Sequence, residues 1–177
     1  NYLPRMMWGP SSNELYIQQL NRKQNHSKIF IANASTGSVK LLREEKDDAW
    51  VDIRNSWPNN NQAGWKFING GNSFLYITEK DGWSHIYNYN IKTKKEYLVT
   101  NGKYDVIKPL NVDEKNGVIY FIASPENATQ RYLYQTNING NGKLQKITPE
   151  ILKGSNNYQI SPNGNYAFHS FSNYYTK

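Results

Sequence analysis

Four acidic residues close together are the side chains of this chain with the clearest potential for chemistry. They lie in the segment LLREEKDDAW, from Leu41 to Trp50, and are Glu44, Glu45, Asp47 and Asp48. Adjacent carboxylates can transfer protons, bind a metal ion or hold the ammonium group of a substrate. They can also be solvated charges at the end of a strand, where an ion pair contributes only about 0 to 1 kcal/mol.

Other catalytic groupings are missing from the sequence. A nucleophile elbow requires Gly-x-Ser-x-Gly between a strand and a helix, and no such string occurs. The absence of cysteine excludes disulfides, thiolate metal sites and a cysteine nucleophile. The histidines, His26, His85 and His169, occupy a predicted turn, a strand start and a strand, which is typical of structural histidines. We therefore expect no catalytic residue, no metal site and no cofactor.

Composition limits the class of protein further. The chain has 177 residues, a formal net charge of +7 and 14% aromatic residues. This length is sufficient for one domain with a core, and the aromatic content argues against disorder. The lysines are scattered through turns, so we expect no nucleic-acid partner. The sequence contains neither a membrane-spanning apolar run nor a signal peptide, and it ends in mid-pattern, so we expect a piece of a longer protein.

Short segments rich in aromatic and β-branched residues alternate with turns of Gly, Asn, Asp and Lys. The clearest are ELYIQQL, KIFIANA, SFLYITE, SHIYNYNI, GVIYFIAS and RYLYQTNI. This pattern predicts antiparallel strands joined as hairpins, and no long segment has a helical period.

The strands also repeat along the chain, with matching positions roughly 45 to 60 residues apart. A repeat of about 40 to 50 residues with four strands is typical of β-propeller blades. We predict an all-β chain that is a partial β-propeller of four-stranded antiparallel blades, about three of them plus the start of another. The predicted limits within this single propeller fragment, 1–177, are 1–64 with an inserted loop at 46–64, then 65–110, 111–157 and an incomplete 158–177.

The segment TEKDGWSHIYNYN resembles a hairpin common in bacterial relatives of dipeptidyl peptidase IV, with the pattern S-E-R-D-G-aromatic-x-H-aliphatic-Y. Further segments resemble other landmarks of this family in the same order: YLPRMMW, ELYIQQLNRKQNHSKIFIANASTG, REEKDDAWVDI, ASPENATQRYLYQTNING and YQISPNGNYAFHSFSNYYTK, where Asn163 replaces the family's Asp. The resemblance covers essentially the whole chain. It implies the later blades of an eight-bladed propeller in the prolyl oligopeptidase superfamily.

In that family the propeller caps an α/β-hydrolase domain, whose Ser-Asp-His triad removes Xaa-Pro or Xaa-Ala dipeptides from peptide N-termini. The resemblance thus implies a non-catalytic segment that gates and positions peptide substrates for a hydrolase domain of the same parent chain. It also suggests a periplasmic or secreted parent. The alternative is a stand-alone propeller module that binds proteins or glycans. Either way, an arc of blades has exposed edges, so we expect the fragment to self-associate.

The resemblance also bears on the acids. The family holds the substrate's ammonium group with two glutamates, but they belong to an earlier blade. Here Glu44 and Glu45 directly precede the blade that contains EKDGW, so the order of blades places the clamp upstream of Asn1. We therefore expect Glu44 and Glu45 to be a solvated strand exit, partly balanced by Arg43 and Lys46.

The loop after these acids is the better candidate for substrate contact. It reads AWVDIRNSWPN, and the corresponding loop of the family approaches the catalytic domain and borders the extended substrate site. The candidate residues on this substrate-side loop are Trp50, Arg54, Asn55 and Trp57. The family has an aromatic residue where this chain has Arg54, and Trp57 could supply one nearby.

Overall fold

The computed structural model describes residues 1–54, 57 and 64–176, and these residues contain fourteen β-strands. The first sheet contains β1 (Tyr2–Trp8), β2 (Glu14–Leu20), β3 (His26–Asn33) and β4 (Val39–Lys46). The second contains β5 (Trp65–Ile68), β6 (Ser73–Thr78), β7 (His85–Asn90) and β8 (Glu96–Leu98). The third contains β9 (Val106–Asp113), β10 (Val118–Ala123), β11 (Tyr132–Asn137) and β12 (Gln145–Lys146), and the fourth contains β13 (Ser155–Ile160) and β14 (Ala167–Ser172).

Each sheet is an antiparallel meander in which consecutive strands are neighbours. Three four-stranded sheets followed by a two-stranded one confirm the predicted all-β fold of a partial β-propeller. Within the described ranges, helical structure is limited to one turn at Asn69–Gly71, and no helix has the length and apolarity needed to cross a bilayer.

The predicted limits of the individual blades stay predictions, and two strands run across them. β9 begins at Val106, before the limit at 110, and β13 begins at Ser155, before the limit at 157. Both are first strands with an unclear pattern in the sequence: β13 has few apolar residues, and the apolar residues of β9 are interrupted by Lys108 and Pro109. β9 even contains Pro109, which is tolerated because β9 lies at the edge of its sheet.

The second sheet is covered on both faces, and its strands show why. Successive side chains of a strand point to opposite faces. In β6, Phe74 and Tyr76 belong to a cluster with Tyr16 of the first sheet, whereas Leu75 and Ile77 belong to a second cluster shared with the third sheet. The face toward the first sheet is therefore mainly aromatic, and the face toward the third is mainly aliphatic at these positions.

A β-bulge in β4 changes which of its residues face the second sheet. Ile29 of β3 pairs with Arg43, but the next residue, Phe30, pairs with Leu41, so Leu42 is an extra residue. Leu42 is buried in the aromatic cluster, and Arg43 lies opposite the buried Ile29 on the same face. Two consecutive residues thus point the same way, which reverses the alternation for the rest of the strand.

The outward faces of the first and fourth sheets leave apolar side chains exposed. In the first sheet, the cross-strand pairs Met6–Ile17, Ile17–Phe30 and Phe30–Leu41 form one apolar row whose two ends are exposed. In the fourth sheet, Phe168 on β14 is 82% exposed. Large exposed apolar faces of this kind are typical of surfaces that pack against another element or another chain.

Candidate functional site

The segment that follows β4 folds back onto the first sheet. The backbone N–H of Val51 donates to the carbonyl of Gln24 at 2.7 Å, and the Gln24 side chain donates to the carbonyl of Val51 at 3.2 Å. Asp47 closes a turn by accepting from the backbone N–H groups of Ala49 and Trp50 at 2.7 and 3.0 Å. These two hydrogen bonds lower the pKa of Asp47. The acid after the strand therefore shapes the loop.

Arg54 is oriented by the loop itself and by the second sheet. Its Nε donates to Asp52 at 2.9 Å, and its Nη2 pairs with Glu79, which follows β6. Burial acts to lower the pKa of Arg54, but the two carboxylates outweigh it and raise the pKa. The side chain is nevertheless about one third exposed. Arg54 is therefore a fixed cation at the surface rather than a mobile one.

Arg5 on β1 forms a hydrogen bond to the backbone of the same loop. Its Nη1 donates to the carbonyl of Arg54 at 2.8 Å, and its Nε donates to Gln18 at 2.5 Å. The guanidinium carbon also lies 5.3 Å from the ring centre of Trp65. Burial lowers the pKa of Arg5 to about 10, although the charge of Asp52 opposes this. Arg5 of the first sheet thus holds the backbone at Arg54, and Trp65 of the second sheet packs against the Arg5 guanidinium.

The structure separates the four residues that the sequence suggested for the substrate side. Trp50 is 56% exposed, and Arg54 is oriented as described. Trp57 is 6% exposed, and its Nε1 donates to the carbonyl of Gly64 at 2.9 Å within a hydrophobic core. Asn55 lies outside the described residues. Trp50 and Arg54 are the accessible members of the set, whereas Trp57 is a core residue here.

Glu45 contradicts the expectation of a solvated strand exit, and that expectation was wrong for this residue. Both glutamates lie inside β4, and the side chain of Glu45 is only 11% exposed. Because the bulge at Leu42 reverses the alternation, Glu45 faces the second sheet together with Arg43, whose Nη1 lies 2.7 Å from it. Glu44 points to the other side, where it is partly exposed and pairs with His26 and Lys46.

Arg43 and Glu45 belong to a buried network of charges between the first two sheets. Arg43 Nε donates to Glu96 on β8 at 2.5 Å, and its guanidinium carbon lies 4.4 Å from the ring centre of Tyr76. Glu96 also accepts from the Tyr76 hydroxyl and from Lys80. Burial acts to raise the pKa of Glu96, but Arg43, Lys80 and Tyr76 outweigh it and lower the pKa to about 2.

This pairing excludes Glu44 and Glu45 as a joint clamp for a substrate ammonium group. The two side chains face opposite sides of β4, and Glu45 is already bonded to Arg43 and Thr78. A clamp needs two carboxylates that converge on one cation. The network is therefore an internal connection between two sheets.

The histidines have structural partners. His85 is buried, and its Nδ1 lies 2.8 Å from the Asp81 carboxylate. His169 stacks on Tyr158 with ring centres 4.2 Å apart, and its Nε2 lies 2.9 Å from Asn156. Across residues 1–54, 57 and 64–176, no three His, Cys, Asp or Glu side chains cluster as a metal site would require. These contacts give His85 and His169 structural partners, and the expectation that no histidine is catalytic stays a prediction.

Consecutive four-stranded meanders packed face to face define this chain as an arc of a β-propeller. The family model for the dipeptidyl peptidase IV (DPP IV) N-terminal region matches residues 1–177. The chain therefore belongs to this family, as its sequence motifs indicated.

Individual relatives agree with this assignment. The chain is 28% identical over 175 residues to dipeptidyl-aminopeptidase B of Aspergillus niger, covering 94% of this chain and 19% of that protein. It is 32% identical over 117 residues to dipeptidyl peptidase 4 of Trichophyton rubrum, covering 64% of this chain and 14% of that one. The crystal structure of Porphyromonas gingivalis dipeptidyl peptidase 4 superposes with a TM-score of 0.79 at 29% identity, over 97% of this chain and 23% of that chain. The chain thus spans less than a quarter of these relatives.

Proposed function

We propose that this chain is the non-catalytic propeller segment of a serine-type peptidase that releases dipeptides from peptide N-termini. In this proposal it gates and positions the peptide for an α/β-hydrolase domain of the same parent chain, which is periplasmic or secreted. Two facts support it: the family match extends over residues 1–177, and the sequence has no nucleophile elbow. The match over the whole length favours this function over a stand-alone protein- or glycan-binding module.

The observation that carries the positioning role is the anchored loop after β4. Between Trp50 and Arg54 its backbone is held by hydrogen bonds at Val51 and at the carbonyl of Arg54, so this part of the loop is preorganised. Arg54 uses Nε and Nη2 for Asp52 and Glu79 in the contacts of the described residues. Its Nη1 is then the nitrogen that can donate to a backbone carbonyl of an extended peptide, and Trp50 in the same loop has an exposed ring.

The test is steady-state kinetics of the full-length protein with Arg54→Ala. We expect KM for peptides of five or more residues to rise about 3- to 10-fold, which corresponds to about 0.7 to 1.4 kcal/mol. The turnover number and the kinetics on a Gly-Pro chromogenic substrate should not change, because that substrate is too short to reach the loop. The matched control is Arg22→Ala, an exposed arginine in the turn between β2 and β3.

Unchanged kinetics of Arg54→Ala on every substrate would remove the positioning role. The broader proposal has its own test, because the isolated 177-residue chain should release no dipeptide while the full-length protein does. Failure of the full-length protein to cleave, or the lack of a Gly-x-Ser-x-Gly string roughly 200 residues downstream, would favour the stand-alone binding module instead.

A further inference from the structure

The first strands of three successive sheets together form a cleft. It has a volume of about 720 Å³, which is within the range of ligand-binding clefts. Its walls come from β5, β9 and β13, each of which is an edge strand of its sheet. Its lining includes Lys66, Lys108, Leu110, Asn111, Tyr158 and Ile160.

Two cations enter this cleft from neighbouring sheets. Lys66 on β5 and Lys108 on β9 are both exposed, and neither takes part in an ion pair with another described residue. The acids that follow along β9 are engaged elsewhere: Asp113 accepts from Asn116, and Glu114 accepts from the backbone N–H of Asn69 at 2.7 Å. Among the described residues that line the cleft, Lys66 and Lys108 are the charged ones, which gives these residues a formal charge of +2.

The remaining wall is well fixed. Asn111 donates to the carbonyl of Ser161 at 3.2 Å, which joins β9 to the turn after β13. The hydroxyl of Tyr158 donates to Thr148 at 3.1 Å, and His169 stacks on one face of its ring. Aliphatic side chains of β9 and β13 provide apolar surface between these polar groups. Such a wall suits a bound peptide, whose backbone is polar and whose side chains include apolar methylene groups.

We propose that this cleft binds an acidic peptide segment, with its carboxylates at Lys66 and Lys108 and its backbone along the edge strands. Edge strands present unpaired N–H and C=O groups that an extended peptide can use. A single-stranded nucleic acid fits less well, because it needs aromatic faces for its bases, and Tyr158 is the one aromatic residue among the described residues of the lining. This binding is a property of the propeller segment and does not depend on a hydrolase domain.

The experiment measures fluorescence anisotropy of a labelled ten-residue peptide of alternating Glu and Ser on titration with the 177-residue chain. A peptide of alternating Gln and Ser serves as the neutral reference. We expect the acidic peptide to bind at least 10-fold tighter than the neutral one, and to weaken at 200 mM relative to 50 mM salt. In Lys66→Gln/Lys108→Gln the acidic peptide should bind 5- to 10-fold more weakly, on the order expected for two lost charge contacts.

The matched control is Lys92→Gln/Lys95→Gln, which removes two exposed lysines from the turn between β7 and β8. Both double variants have a net charge of +5, because each loses two lysines from a chain whose net charge is +7. Circular dichroism checks their folding, and Lys66→Arg/Lys108→Arg, which keeps the charges, should restore binding. Lysines on edge strands also discourage strand pairing, but that role alone predicts no difference between the two peptides.

Three results would overturn the proposal. The first is an equal loss of binding in both glutamine variants, which would mean that only net charge matters. The second is that the unmodified chain binds the acidic and the neutral peptide with equal affinity, or binds neither of them. The third is tighter binding of a single-stranded oligonucleotide of equal charge that also depends on Lys66 and Lys108.

Discussion

Replacing Arg43 by methionine removes the cation at the centre of the network between the first two sheets. Methionine keeps most of the length of the side chain, so the packing against Tyr76 suffers little. Glu45 would lose its cation, and Glu96 would retain only Lys80 as a positive partner. The folded state would then contain the largely buried carboxylates of Glu45 and Glu96 without enough positive charge to balance them.

The size of the effect follows from the pKa of Glu96. That pKa falls from 4.5 to about 2, and the difference corresponds to about 3 kcal/mol of preference for the charged form. Lys80 and Tyr76 account for part of this preference. The Glu96 side chain is also 23% exposed, so solvent screening reduces the contribution of Arg43 to about 2 kcal/mol. With the loss at the more buried Glu45 added, we expect Arg43→Met to cost about 3 kcal/mol at pH 7. This is at the lower end of the range for a broken buried pair.

The effect has a definite pH dependence. A carboxylate whose pKa is lowered by folding contributes its full stabilisation above the pKa of the unfolded chain, near 4.5, and loses it as the pH falls toward the folded value, about 2. The variant has less of this stabilisation to lose. The difference in free energy of unfolding between the two proteins should therefore shrink by about 1 to 2 kcal/mol between pH 7 and pH 3.

Urea unfolding followed by tryptophan fluorescence at pH 7 and pH 3 measures this difference. Thermal unfolding at pH 7 should show a melting temperature lower by about 6 to 12 °C for a chain of this size. The matched control is Lys46→Met on the same strand, because Lys46 is exposed and, among the described residues, its one ion pair is with Glu44, so its loss should cost less than about 1 kcal/mol. A cost for Arg43→Met that is equal at both pH values would refute the assignment of the stabilisation to Glu96.

Two further predictions concern backbone packing and self-association. Gly140 has a φ of +76°, and a Cβ there would lie 2.1 Å from the carbonyl oxygen of Leu98, whereas Gly37 has a φ of +71° and open space around it. Gly140→Ala should therefore lower the free energy of unfolding by at least about 2 kcal/mol more than Gly37→Ala, and equal losses would contradict this. We also expect the isolated chain to form dimers or larger species through its uncovered end faces, and Tyr166→Ser/Phe168→Ser to shift it toward the monomer in light scattering. A monomeric unmodified chain at high concentration would contradict that expectation.

The sequence predicted the inner hairpins of the sheets well, because their alternation is strong. SFLYITE and SHIYNYNI correspond to β6 and β7, which are almost fully buried. The first strands of the later sheets were harder to see. β9 contains Lys108 and Pro109, and β13 reads SNNYQI. One edge of each of these strands faces the cleft instead of a pairing partner, so each strand can contain polar residues and proline. Their position depends on neighbouring sheets, which a local pattern does not contain.

The site was less predictable, since its contacts join distant parts of the chain. Arg43 and Glu96 are 53 residues apart in sequence, and only the packing of β4 against the second sheet brings them together. Trp50 and Trp57 are the same residue type in the same loop, yet Trp57 is buried and Trp50 is exposed. For loop residues, burial depends on which element the loop crosses, so residue type alone could not separate them.

The bulge at Leu42 shows why two neighbouring glutamates have different roles. Without the extra residue, the strand would turn Glu44 and Lys46 toward the second sheet, and Arg43 and Glu45 toward solvent. That alternative also pairs an acid with a base, but a lysine is a single point charge. Arg43 bonds two carboxylates through different nitrogens and stacks on Tyr76, a combination that needs a planar guanidinium. The register of the bulge therefore selects the one cation in LLREEK that can satisfy both Glu45 and Glu96, and it leaves Glu44 outside.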